Sequence, residues 1–267
     1  MSYMKYKVAE DARPQIYLLL VATVISIGLW FLSGYIPLIG YLTYPIRLFA
    51  TFIHEGSHVL ATVLTGNTVQ SLSVSADGSG VVWSQSSGWF SQLLISSAGY
   101  IGTTAFGAAL LVWMRYGYSS RIALLASAGF VTVMTVIFGI FAPVLNFFAD
   151  VSVLTQAFTV AAGLVLAVGL AAIARYASPK WTNFTLAFLT VQCLANAVFD
   201  LVNLFFLSTM TNERSDAANM AAASGIPAVV WVLIWFGVSV VMISLGLRVY
   251  SISGARAAKS ADSIFED

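Results

Sequence analysis

Residues 44–65 read YPIRLFATFIHEGSHVLATVLT, an apolar run long enough to enter a membrane that nevertheless carries two histidines and a glutamate. Histidines four apart on a helix project from one face, close enough for both imidazoles to bind one metal ion. Here they are His54 and His58, and the chain has no other histidine. Glu55, next to the first, can reach a metal-bound water and take its proton; on zinc such a water has a pKa of about 7. A soluble helix with this pattern would be amphipathic, whereas this one is apolar around its motif. At about 1.5 Å per residue, His54 lies about 15 Å beyond a span start near residue 44, inside a hydrocarbon layer about 30 Å thick. Two imidazoles and a carboxylate are expensive there, so a functional role is the expectation and packing histidines the alternative.

The rest of the chain agrees with a membrane setting. Of its 267 residues 59% are hydrophobic and 9% charged, with a mean hydropathy of +0.89; soluble domains carry about 25% charged residues. The expected fold class is an all-α polytopic membrane protein of about six to seven transmembrane helices, with a short β-hairpin after the second. Apolar stretches lie near 16–38, 44–65, 89–114, 121–143, 151–174, 183–207 and 227–249. They form a single membrane-embedded domain over 1–267, with a polar segment at 1–15 and a tail at 251–267 expected to be disordered. The polar start is too long for a cleaved signal peptide, so the first stretch reads as a retained span. A net charge of +1 argues against a nucleic-acid partner. The single cysteine, Cys193, has no partner within the chain for a disulfide.

Orientation is not settled by counting. Arg115, Arg121, Arg175, Lys180, Arg248, Arg256 and Lys259 would all be cytoplasmic if the last four stretches alternate, leaving the C-terminus inside. Seven true spans would then put the N-terminus outside, although Lys5, Lys7 and Arg13 favour the inside. One stretch is therefore expected to be re-entrant or to stop short of crossing.

The connector Thr68–Gln85 differs from the others. Leu72, Val74 and Ala76 alternate with serines, Asp77-Gly78 supplies a turn, and a second β-rich run follows, which predicts a hairpin. It is either an ordinary loop hairpin or a strand edge able to pair with an extended peptide.

Tetrahedral zinc with one open position needs a third protein ligand. Asp200 lies deep in the sixth stretch, where Gln192, Asn196, Asp200 and Asn203 form one polar stripe at helical spacing. A carboxylate at mid-membrane calls for a cation, which selects Asp200. Asn196 and Asn203 are then candidates for orienting that carboxylate or binding substrate, and Gln192 for interhelical glue. Asp216, in the polar connector that follows, reads as solvated and is the next candidate. Asp150 reads as interfacial, and the Gly99, Thr103, Gly107 spacing as helix packing.

The segments HEGSHVLATVLTG (54–66), DGSGVVW (77–83) and SAGYIG (97–102), with SDA and GIPAVVW around Asp216 and Pro227, resemble the site-2 protease class of intramembrane zinc metallopeptidases. The likeness is greatest to its short bacterial members without a PDZ domain, and it spans about residues 50 to 235. It implies that His54, His58 and Asp200 hold Zn2+, that Glu55 is the general base and that Thr68–Gln85 is a membrane-embedded hairpin. The family's asparagine-proline-leucine-aspartate-glycine pattern is reduced here to Asn196 and Asp200, with Leu201 in the glycine position. The implied activity is zinc-dependent proteolysis of transmembrane substrates, in the bacterial cytoplasmic membrane. A noncatalytic scaffold that keeps the zinc fold is the alternative; a transporter would distribute its ionisable groups along a pathway.

Overall fold

The computed structural model describes residues 13–33, 35–148, 151–210 and 215–252. The chain runs α1 (Arg13–Ser33), α2 (Pro37–Leu64), β1 (Thr68–Val74), β2 (Gly80–Gln85), α3 (Trp89–Arg115) and α4 (Ser120–Val133). A π-helical segment (Met134–Phe141) joins α4 to α5 (Ala142–Leu145), and α6 (Val153–Tyr176), α7 (Pro179–Met210), α8 (Asp216–Ser224) and α9 (Ala228–Ile252) complete it. The tail expected to be disordered from 251 begins inside α9; 253–267, the segment 1–12 and Asp150 lie outside the described residues.

Helices long and apolar enough to cross a membrane lie at Ile16–Ser33, Trp89–Arg115, Ser120–Leu145, Val153–Tyr176, Pro179–Met210 and Ala228–Tyr250. The protein is thus an all-α membrane protein with six candidate spans among the described residues and a small hairpin, as expected. The motif helix α2 has 28 residues but is not one of the six. Arg47, Glu55 and the two histidines dilute its apolar character.

The helices form because the backbone has no water to bond within hydrocarbon. Their sides turned to lipid carry exposed aliphatics such as Val165, Val168, Leu233 and Val241. Inside, α2 packs on α3, and Phe49, Phe52, Ile53 and Val59 of α2 join Leu124, Val131 and Leu186 in the main core. At one end of the bundle Leu19 and Ala22 of α1 meet Leu111 of α3, Ala187 of α7 and Tyr250 of α9.

The hairpin is antiparallel, with Ser73 opposite Val81 and Val74 opposite Gly80. Its turn is built as the Asp77-Gly78 pair predicts: Gly78 takes φ 87°, and Asp77 Oδ1 accepts from Ser79 N at 2.9 Å and Ser79 Oγ at 2.6 Å. Those bonds hold the Asp77 carboxyl below its ordinary range. The turn is tied to α2 by Tyr44, whose hydroxyl donates to Ala76 O at 2.6 Å, by Arg47 to Asp77 O, and by Thr51 to Gly78 O at 2.9 Å.

Side chains seal the outer edge of β1. Asn146 donates to Gln70 O at 3.3 Å and Gln156 to Leu72 O at 3.0 Å. Thr159 accepts from Val74 N at 2.8 Å and donates to Val74 O at 3.1 Å. On β2 the corresponding edge, at Gly80, Val82 and Ser84, is bonded by no described residue and borders a cavity.

Candidate metal centre

Helical spacing places His54 and His58 side by side on α2, ring centroids 4.9 Å apart and planes at 67°. His58 Nδ1 is 2.7 Å from the carbonyl oxygen of Ile95 on α3. A carbonyl can only accept, so Nδ1 carries the proton and Nε2 keeps its lone pair for another partner. Both Nε2 atoms converge on Asp216: its Oδ2 lies 3.6 Å from His54 Nε2 and 3.3 Å from His58 Nε2. These separations exceed the roughly 2.7–2.9 Å of a charge-assisted hydrogen bond. They match the spacing of about 3.4 Å between ligand atoms of a tetrahedral ion with bonds of about 2.1 Å.

Of the two carboxylates weighed as third ligand, the one the structure brings to the imidazoles is Asp216, and Asp200 is not in the group. Asp200 is exposed into a cavity of about 1630 Å³ that also borders His54, Glu55, His58 and Asp216. Its depth along α7 is thus depth beside this cavity. Asp216 was read as solvated because it follows a long apolar stretch in a polar connector. That connector instead folds as α8, capped by Ser215 Oγ accepting from Ala218 N at 3.2 Å and ended by Gly225 at φ 73°. The cap serine and the terminal glycine were visible in the sequence and mark a short helix between two spans. Asn196, Asn203 and Gln192 line the cavity with Asp200, so the polar stripe is real but faces open space.

Gly99 was read as a packing residue, yet it has a second role. A Cβ there would collide with Nε2 of both His54 and His58. The bare Cα lets α3 close over the imidazoles and leaves room for an ion between them and Asp216. The donor set, the fixed tautomer of His58 and the glycine cradle together fit a resident metal ion.

Glu55 is buried next to this group, and Gly80 of β2 approaches it so closely that a Cβ would stand 2.5 Å from its Cγ and Oε1. The open edge of β2 thus begins at the glutamate. Tyr100, not singled out by the sequence reading, sets its ring edge-on to His54 at 4.6 Å and stacks on Trp235 at 5.3 Å.

A family model described as Peptidase M50B-like matches residues 16–246. No curated protein and no solved structure matches the chain.

Proposed function

The chain belongs to the Peptidase M50B-like family, a family of metal-dependent peptidases, and on that membership we propose that this multi-pass membrane protein uses one zinc ion to hydrolyse peptide bonds of membrane-protein substrates. We place it with the site-2 protease type. The observation that carries the reading is the convergence of His54, His58 and Asp216, with Glu55 buried against them.

His54, His58 and Asp216 would hold the ion. When bound, zinc supplies Lewis acidity to a water and to the scissile carbonyl. Glu55 accepts the proton from the water as it adds to the carbonyl carbon, then delivers that proton to the amine as the C–N bond breaks. Substrate must reach this point as an extended strand, because a helical carbonyl is already bonded and shielded. Among the described residues one hairpin edge is free to receive it: β1 is sealed by Asn146, Gln156 and Thr159, while Gly80, Val82 and Ser84 of β2 border the cavity with no described backbone partner on that edge. Asn196 and Asn203, with Asp200, border the same cavity and are proposed to bind the unwound substrate rather than the metal. A setting in the bacterial cytoplasmic membrane belongs to the same proposal.

Glu55→Gln preserves shape and removes the base. It should keep about one zinc per chain while cleavage falls about 10²- to 10⁴-fold, with uncut membrane substrate accumulating. Unchanged processing in this variant would favour the noncatalytic scaffold instead.

A further inference from the structure

Tyr100 sits on α3 one residue beyond Gly99, whose Cα lies against both imidazoles. Its side chain is 9% exposed, held by the Trp235 stack at 5.3 Å with planes 17° apart and by the edge contact to His54. Trp235 is itself anchored, its Nε1 donating to Ser97 Oγ at 3.0 Å. A phenol buried this deeply ordinarily finds a partner for its hydroxyl. Among the described residues this hydroxyl has none, while the side chain borders the cavity that contains His54, Glu55 and Asp216. Asp216, Asp200 and Glu55 all lie within its electrostatic reach. A hydroxyl on a packed ring that no described residue accepts from, on a side chain bordering the cavity, is available to donate to whatever binds there.

We propose that Tyr100 is a catalytic residue of the hydrolysis set out above, on which this inference rests: its hydroxyl donates a hydrogen bond to the oxyanion that forms on the scissile carbonyl. As water adds, its proton passes to Glu55 and the carbonyl π pair moves onto oxygen. Tyr100 stabilises that charge without transferring its own proton, and the pair returns to re-form C=O as the amine leaves with the proton from Glu55. Because the ring is packed on both Trp235 and His54, the donor needs no reorganisation at the moment charge develops, which is where such a group contributes most.

The test uses the full chain, zinc-loaded in detergent, as wild type, Tyr100→Phe and Glu55→Gln. Two probes are bound: a peptide phosphinate, whose tetrahedral oxyanion imitates the one proposed, and the corresponding uncleaved amide peptide. A dye-labelled unfolded protein serves as substrate. Tyr100→Phe keeps the ring and its stack, so zinc content and amide-peptide affinity should match wild type. Phosphinate affinity should fall about 10- to 100-fold, and kcat about 10²-fold with KM unchanged. Equal phosphinate affinity in wild type and Tyr100→Phe overturns the proposal, as does loss of zinc from Tyr100→Phe, which would mark a structural role. A wild type that neither cleaves nor binds the phosphinate overturns proteolysis itself. A wild type that cleaves, with Glu55→Gln inactive and Tyr100→Phe unimpaired, removes Tyr100 alone.

Discussion

At Gly99 a hydrogen atom stands where a methyl group would meet Nε2 of both His54 and His58. Backbone, not a flexible side chain, carries that methyl group, so α3 and α2 would have to separate or the imidazoles turn away. Gly99→Ala should therefore weaken zinc about 10- to 100-fold, the range seen when groups that orient ligands are disturbed, read by competition with a chelator. Helix packing alone would produce a loss of thermal stability with metal affinity intact. The two aspartates separate in the same way. Asp216→Ala removes the carboxylate 3.3 Å from His58 Nε2 and should strip the zinc, whereas Asp200→Ala should leave occupancy at about one ion per chain and alter cleavage only. Full zinc in Asp216→Ala would refute the assignment of the ligand set.

Among elements, α8 has nine residues and little apolar surface of its own, so its placement depends on its ends and on Ala217 and Met220, buried against Leu201, Leu204, Val232 and Trp235. Gly225 ends it at φ 73° with open space around it, so the cost of a side chain there is conformational. Gly225→Ala should cost about 1 kcal/mol, and because α8 carries Asp216, zinc affinity should fall with stability in the same preparation. A stability loss with unchanged affinity would show that α8 is held by its packing alone. The hairpin depends on a different support. Thr159 Oγ1 accepts from Val74 N at 2.8 Å and shares its one proton between Thr155 O at 2.9 Å and the carbonyl of Val74, which is fully buried. Thr159→Val keeps the shape and orphans the buried Val74 N–H, at about 1–3 kcal/mol. A melting temperature within error of wild type would mean that β1 does not need this seal.

For the whole molecule, the packing of α1 answers the question that counting spans left open. Leu19 and Ala22 meet the last turns of α3 and α9 and the first turns of α7. The starts of α1 and α7 therefore share a side with the ends of α3 and α9. Arg115, Arg121, Arg175, Lys180 and Arg248 flank these helix ends, and the basic residues Lys5, Lys7 and Arg13 precede or begin α1. By the excess of basic residues we propose that this side is cytoplasmic. Reporters fused before Met1 and after Asp267 should both read as cytoplasmic; one on each side would overturn this arrangement.

The membrane class, the hairpin and the triplet His54, Glu55, His58 were determined by the sequence alone, because each rests on local physics. Apolar run length dictates helices in hydrocarbon, an Asp-Gly pair dictates the turn, and a spacing of four dictates a shared helix face. Which carboxylate meets the imidazoles was decided only by the tertiary structure. Asp200 and Asp216 differ not in residue type but in what surrounds them, and depth along a helix is no measure of contact with lipid once neighbouring helices enclose a cavity. The same holds for Gly99 and Tyr100. Small spacing on α3 fits packing against any neighbour, and an aromatic in an apolar stretch fits any core; only the approach of α2 and α9 sets one against the imidazoles and the other's ring between His54 and Trp235 at the cavity.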